Sequence, residues 1–100
     1  MNALETCLSC VDLTSLHTQD TCTDIKRFTE KVNGFHSIYP ELPLPASICV
    51  YPNLGKVVRE TLSAQAAGQV HVTCVAGTFP SSQSWTDVKL LEAGHAVEEG

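Results

Sequence analysis

Three times along the chain the same succession recurs: an apolar run, a few turn residues, an amphipathic stretch and a glycine. The closing glycines, Gly34, Gly68 and Gly100, lie 34 and 32 residues apart. A strand plus a crossover helix takes roughly 30 residues, so each period fits one βα unit. The apolar runs are Cys7–Leu16, Ala46–Tyr51 and Val70–Gly77, rich in Val, Ile, Thr and Cys, and they read as buried strands. Consecutive βα units place parallel strands side by side through right-handed crossovers. Helical repeats of similar period lack such strand runs.

The helical stretches carry start and stop signals. Thr21 with Asp24 has the spacing of a capping box, and Ile25, Phe28, Thr29, Val32 and Phe35 then recur along one face, with Gly34 as the stop. Pro52 suits a first helical position ahead of Leu54, Val57, Val58, Thr61 and Leu62. Ser84 with Asp87 reads as a second cap, followed by an apolar face of Val88, Leu91 and His95 flanked by Leu90, Ala93 and Val97. The segment Phe35–Pro45, with Pro40, Pro43 and Pro45, reads as a connection inside one domain rather than a linker.

Three parallel strands leave two unpaired edges, and a closed βα barrel takes about 250 residues. Residues 1–100 therefore read as a single incomplete barrel segment with no second domain. The sheet face turned away from the helices is expected to carry Leu8, Cys10, Val75 or their neighbours, and hence to need association.

Eleven acidic against six basic residues give a net charge of −5, which disfavours nucleic acid and anionic membranes as partners. No apolar run reaches the ~18 residues of a spanning helix. The first lysine is Lys26, so no basic leader precedes an apolar stretch. Five cysteines cannot all pair within one chain, and a reducing cytoplasm is the expected compartment. Cys10, Cys49 and Cys74 sit in apolar runs, where a free thiol packs as a small hydrophobe.

In βα barrels the functional side chains gather where strands end. Asp12 and Thr14 lie two apart and so share a strand face. Cys49 stands two residues before Tyr51 and Pro52, and Gly77, Thr78, Phe79 and Pro80 form the third exit loop. Asp12 interrupts an apolar run, and a buried carboxylate needs hydrogen bonds or a cation. The plain alternatives are a strand-end Asp bonded to a neighbouring amide, a Thr used in packing, a core Cys and a loop Phe. A zinc reading starts from Cys7, Cys10, His17 and Cys22, four donors in sixteen residues, but a strand between them would hold Cys10 and His17 apart. As a redox pair, Cys7 and Cys10 lack the position at the start of a helix that depresses a thiol pKa.

Together, CVDLTSL, ASICVYP, VTCVAGTFPSSQ and WTDVKLLEAGHAVEEG, in this order and spacing, resemble the N-terminal part of the 2-deoxyribose-5-phosphate aldolase family. The resemblance covers nearly the whole chain and is weakest over the first six residues and the Pro-rich connection. It implies the first three βα units of a (β/α)8 TIM barrel, stopping before strand 4. It also implies a class I aldolase of deoxyribose catabolism, working without metal or cofactor. Its substrates are a sugar phosphate and an aldehyde: 2-deoxy-D-ribose 5-phosphate is cleaved to acetaldehyde and D-glyceraldehyde 3-phosphate through a lysine Schiff base.

Residue by residue, Asp12 and Thr14 match the first-strand D-x-T near the proton relay and the substrate hydroxyl. Cys49 matches a pocket thiol that the chemistry does not require, and Phe79 matches a loop Phe lining the pocket. The Schiff-base lysine, a second lysine, a catalytic Asp just beyond Gly100 and the phosphate loops belong to later parts of the barrel. Lys26, Lys31, Lys56 and Lys89 all fall on expected helices, so the chain alone is expected to be inactive and to depend on self-association or on the missing C-terminal part. The competing expectations are a non-catalytic associating fragment and a small zinc module.

Overall fold

The computed structural model describes all residues from Met1 to Gly100. Three parallel strands, β1 (Asp12–Thr14), β2 (Ser47–Val50) and β3 (His71–Cys74), form one sheet in the order β1-β2-β3. Asp12 pairs with Ser47 and Ser47 with His71; Thr14 pairs with Cys49 and Cys49 with Thr73. The helices are α1 (Ala3–Ser9), α2 (Cys22–Asn33), α3 (Phe35–Ile38), α4 (Gly55–Thr61), α5 (Ala64–Ala67) and α6 (Thr86–Glu98), with a 3₁₀ turn at Pro52–Leu54.

Side chains alternate across a sheet, so the register sorts two faces. Ile48, Val50 and the half-buried Leu13, Val72 and Cys74 turn toward the helices, where Ile25, Val32, Leu44, Leu54, Val58, Ala66 and Val70 complete the core. The opposite face carries Asp12, Thr14, Ser47, Cys49, His71 and Thr73. The sequence expectation of an apolar uncovered face is therefore corrected for Leu8 and Cys10, while Val75 keeps the parity of His71 and Thr73. The parity that buries Ile48 and Val50 puts polar residues on the other side, and Leu8 belongs to a helix.

The first apolar run also divides differently. Asn2 and Glu5 make a reciprocal capping box that starts α1, which takes up Cys7 and Ser9, and Cys10 becomes the exposed C-cap. The strand is left with three residues. Cys49 is buried and Cys74 half-buried, as expected of thiols in apolar runs.

In the first unit the cap is as expected. Thr21 accepts from the Asp24 N–H at 3.1 Å and the Asp24 carboxylate accepts from the Thr21 N–H at 3.1 Å. These bonds, side chain first, hold the Asp24 carboxyl below its ordinary value. Ile25, Thr29 and Val32 are buried along α2. Asn33 closes this layer: its amide donates to the Thr61 carbonyl and its carbonyl accepts from the Ser63 N–H, both at 2.8 Å.

The third unit departs from its signals. Trp85, not Ser84, occupies the N-cap of α6, and no side chain bonds the free amides there. None of the α6 residues is buried; Leu90, Leu91 and Val97 are 64–80% exposed. Only 15 of 100 residues are buried, and the radius of gyration is 14.6 Å against the ~13 Å of a compact chain of this length. Within the chain α6 packs chiefly against the Pro52–Leu54 turn, which leaves most of its surface open.

Candidate functional site

The uncovered face holds two polar rows at successive steps of the pleat. In the first, Asp12, Ser47 and His71 are register partners, and the Ser47 hydroxyl donates to Asp12 Oδ1. In the second, Thr14, Cys49 and Thr73 are partners. Thr14 Oγ1 donates to the Asp12 carbonyl at 2.9 Å. Cys49 is 5% exposed despite its open face. Burial first, and the Asp12 charge second, push its thiol above the ordinary 9.0, while the Thr14 hydroxyl acts the other way. At neutral pH this is a protonated thiol, not a nucleophile.

At the end of β1 the chain turns on a second set of bonds. Ser15 Oγ donates to Asp20 Oδ2 at 2.8 Å, the His17 N–H donates to the same oxygen at 3.2 Å, and Tyr51 Oη donates to the Leu16 carbonyl at 3.0 Å. The loop after β3 is bent by Gly77 at φ 70° and Thr78 at φ 57°. A left-handed β-branched residue is strained and needs support. The Thr78 N–H finds it in Glu92 Oε1 of α6, at 3.1 Å.

Three of the four residues singled out from the sequence, Asp12, Thr14 and Cys49, thus meet on one face. Phe79 lies in the loop beyond β3 and is 45% exposed. One placement is corrected: Asp12 opens β1 instead of closing it, one pleat step before Thr14, because α1 and its cap delay the strand. Ser47 was missed, although its signal was available: S-x-C in the second run matches D-x-T in the first. Cys7, Cys10, His17 and Cys22 are not brought together: no three His, Cys, Asp or Glu side chains stand where they could hold one metal ion. Cys7 and Cys10 close a helix instead of opening one. All four lysines stand on helices: Lys26 and Lys31 on α2, Lys56 on α4 and Lys89 on α6.

No protein-family model matches the chain. Among characterised sequences, the Bos taurus deoxyribose-phosphate aldolase is 32% identical over 93% of this chain, which spans 31% of that protein. Over that span the chain is similar to a deoxyribose-phosphate aldolase. A Caenorhabditis elegans protein provisionally given the same name is 30% identical over 90% of the chain, which spans 29% of it. A crystal structure from Coccidioides immitis, also provisionally named a deoxyribose-phosphate aldolase, superposes over 99% of the chain with a TM-score of 0.75 and 25% identity. There too the chain spans 34% of the match. The three-stranded parallel sheet thus corresponds to about a third of the aldolase fold, a member of the TIM-barrel family. No helix is long and apolar enough to cross a membrane.

Proposed function

We propose that the chain supplies the first three βα units of a (β/α)8 aldolase barrel, ending before strand 4. In this reading residues 1–100 are one incomplete barrel segment in the cytoplasm, and the reaction is reversible cleavage of 2-deoxy-D-ribose 5-phosphate to acetaldehyde and D-glyceraldehyde 3-phosphate. The observation that carries it is the polar face. Asp12, Thr14, Ser47 and Cys49 point away from the helices, the side that a closed barrel turns inward, beneath a site at the C-terminal ends of its strands.

Each residue then has a task. Asp12 is the acid of the proton relay, needed because the imine step requires protons to be delivered and removed at nitrogen and carbon. Thr14 faces a substrate hydroxyl. Cys49 lines the pocket as a neutral thiol, and Phe79 covers it from the loop. The Schiff base itself requires a lysine desolvated in the pocket. The four lysines here are on helices, so that group comes from another part of the barrel. The alternative, a non-catalytic associating fragment, draws support from the open edges of β1 and β3 and from exposed Trp85, Leu90, Leu91 and Val97.

Imine trapping separates these readings from an aldolase complete in itself. The chain is incubated with acetaldehyde and borohydride and weighed intact. Weak, scattered labelling is expected, since none of the four helix lysines lies in a pocket that would favour it over the others. A stoichiometric adduct on one lysine would overturn the proposal that the Schiff-base group lies elsewhere.

A further inference from the structure

We propose that Ser47 is a positioning residue: it holds one oxygen of the Asp12 carboxylate so that the other faces the open side of the sheet. The proposal rests on the aldolase reading above only for its consequence in catalysis; the positioning itself is a statement about these two side chains.

Asp12 and Ser47 are register partners on adjacent parallel strands, so their side chains leave the same face at neighbouring positions. The Ser47 hydroxyl donates to Oδ1. Ser47 is 8% exposed, whereas Asp12 is exposed, so the anchor is the fixed member and the acid the presented one. The other candidate anchors are occupied or absent. Thr14 Oγ1 turns to the Asp12 backbone carbonyl, and the chain's ion pairs, His17–Asp20 and Lys56–Glu60, leave Asp12 without a cation. His71, the third member of the row, makes no hydrogen bond to either. A single charge-assisted bond from a buried hydroxyl thus selects the carboxylate's orientation. Restricting an exposed side chain to one rotamer matters because a proton-relay group must already point at its partner.

The test uses the chain itself. Three-bond couplings to the Asp12 carboxyl carbon report its χ1 rotamer, and a deuterium isotope shift at that carbon in mixed H2O and D2O reports the hydroxyl proton bonded to it. The unsubstituted chain is expected to show one rotamer and the isotope shift. Ser47→Ala is expected to lose the shift and average the rotamers, lowering the large coupling by about half. Ser47→Thr keeps the donor and is expected to restore both. A folded Ser47→Ala that keeps the single rotamer would overturn the proposal. So would absence of the isotope shift in the unsubstituted chain, which needs no variant to fold. If the couplings behave as expected but barrels containing this segment never cleave the sugar phosphate, the positioning stands and the aldolase reading falls.

Discussion

Cys49 shows how neighbours set the behaviour of one residue. Its thiol is held protonated by burial and by the Asp12 charge. Replacing Asp12 by Asn removes the negative charge, lowers the Cys49 pKa and raises the thiolate fraction at any pH near 8. Alkylation of Cys49, resolved by peptide mass spectrometry from exposed Cys7, Cys10 and Cys22, should then accelerate several-fold, since each pKa unit changes the thiolate fraction about tenfold. Thr14→Val removes the hydroxyl that favours the thiolate and should slow the same reaction. An Asp12→Asn rate equal to that of the unsubstituted chain would mean that the carboxylate does not face the thiol.

Among the elements, α4 lies close against β3 at its first residue, which has no room for a side chain. A Cβ on Gly55 would stand 2.5 Å from Cys74 Sγ. Gly55→Ala should therefore destabilise the chain by about 1–3 kcal/mol despite the better helix propensity of Ala. Adding Cys74→Ala opens the space, and denaturant titration of the double variant should recover much of the loss. Additive losses would place the strain elsewhere. The order of the three strands and of the main helix after each was legible in the sequence because apolar runs and closing glycines recur in all three periods. Less legible was what depends on neighbours. The Asn2–Glu5 cap turned part of an apolar run into α1. Ser84 lost the N-cap to Trp85, and α3 and α5 are single turns too short to leave a periodic pattern. The candidate site was half legible: Asp12 stood out as the interruption of an apolar run, and Thr14 and Cys49 by their places along the strands, whereas Ser47 acquires meaning only through the register with Asp12.

At the scale of the whole molecule, the polar face and the exposed α6 are two aspects of one open sheet. The edges of β1 and β3 carry unpaired backbone groups, and α6 leaves Leu90, Leu91 and Val97 exposed. Burying a side chain of that size is worth ~1.5–3 kcal/mol, so association should occur at working concentrations. Sedimentation across a wide concentration range is expected to show a rising average mass, reduced by Leu91→Glu. A sharp monomer that unfolds cooperatively would show that three βα units suffice, and would remove the reason to regard the sheet as one wall of a larger barrel. The most direct measurement joins this wall to the remainder. The chain is mixed with the Bos taurus deoxyribose-phosphate aldolase lacking its matching third, then assayed with 2-deoxyribose 5-phosphate and trapped with borohydride. The account predicts cleavage only when both parts are present, with the trapped imine on the added part. It predicts turnover lower by ~10²–10⁴ with Asp12→Asn and little changed with Cys49→Ser. A trapped imine on one of this chain's own lysines, or full turnover with Asp12→Asn, would contradict it.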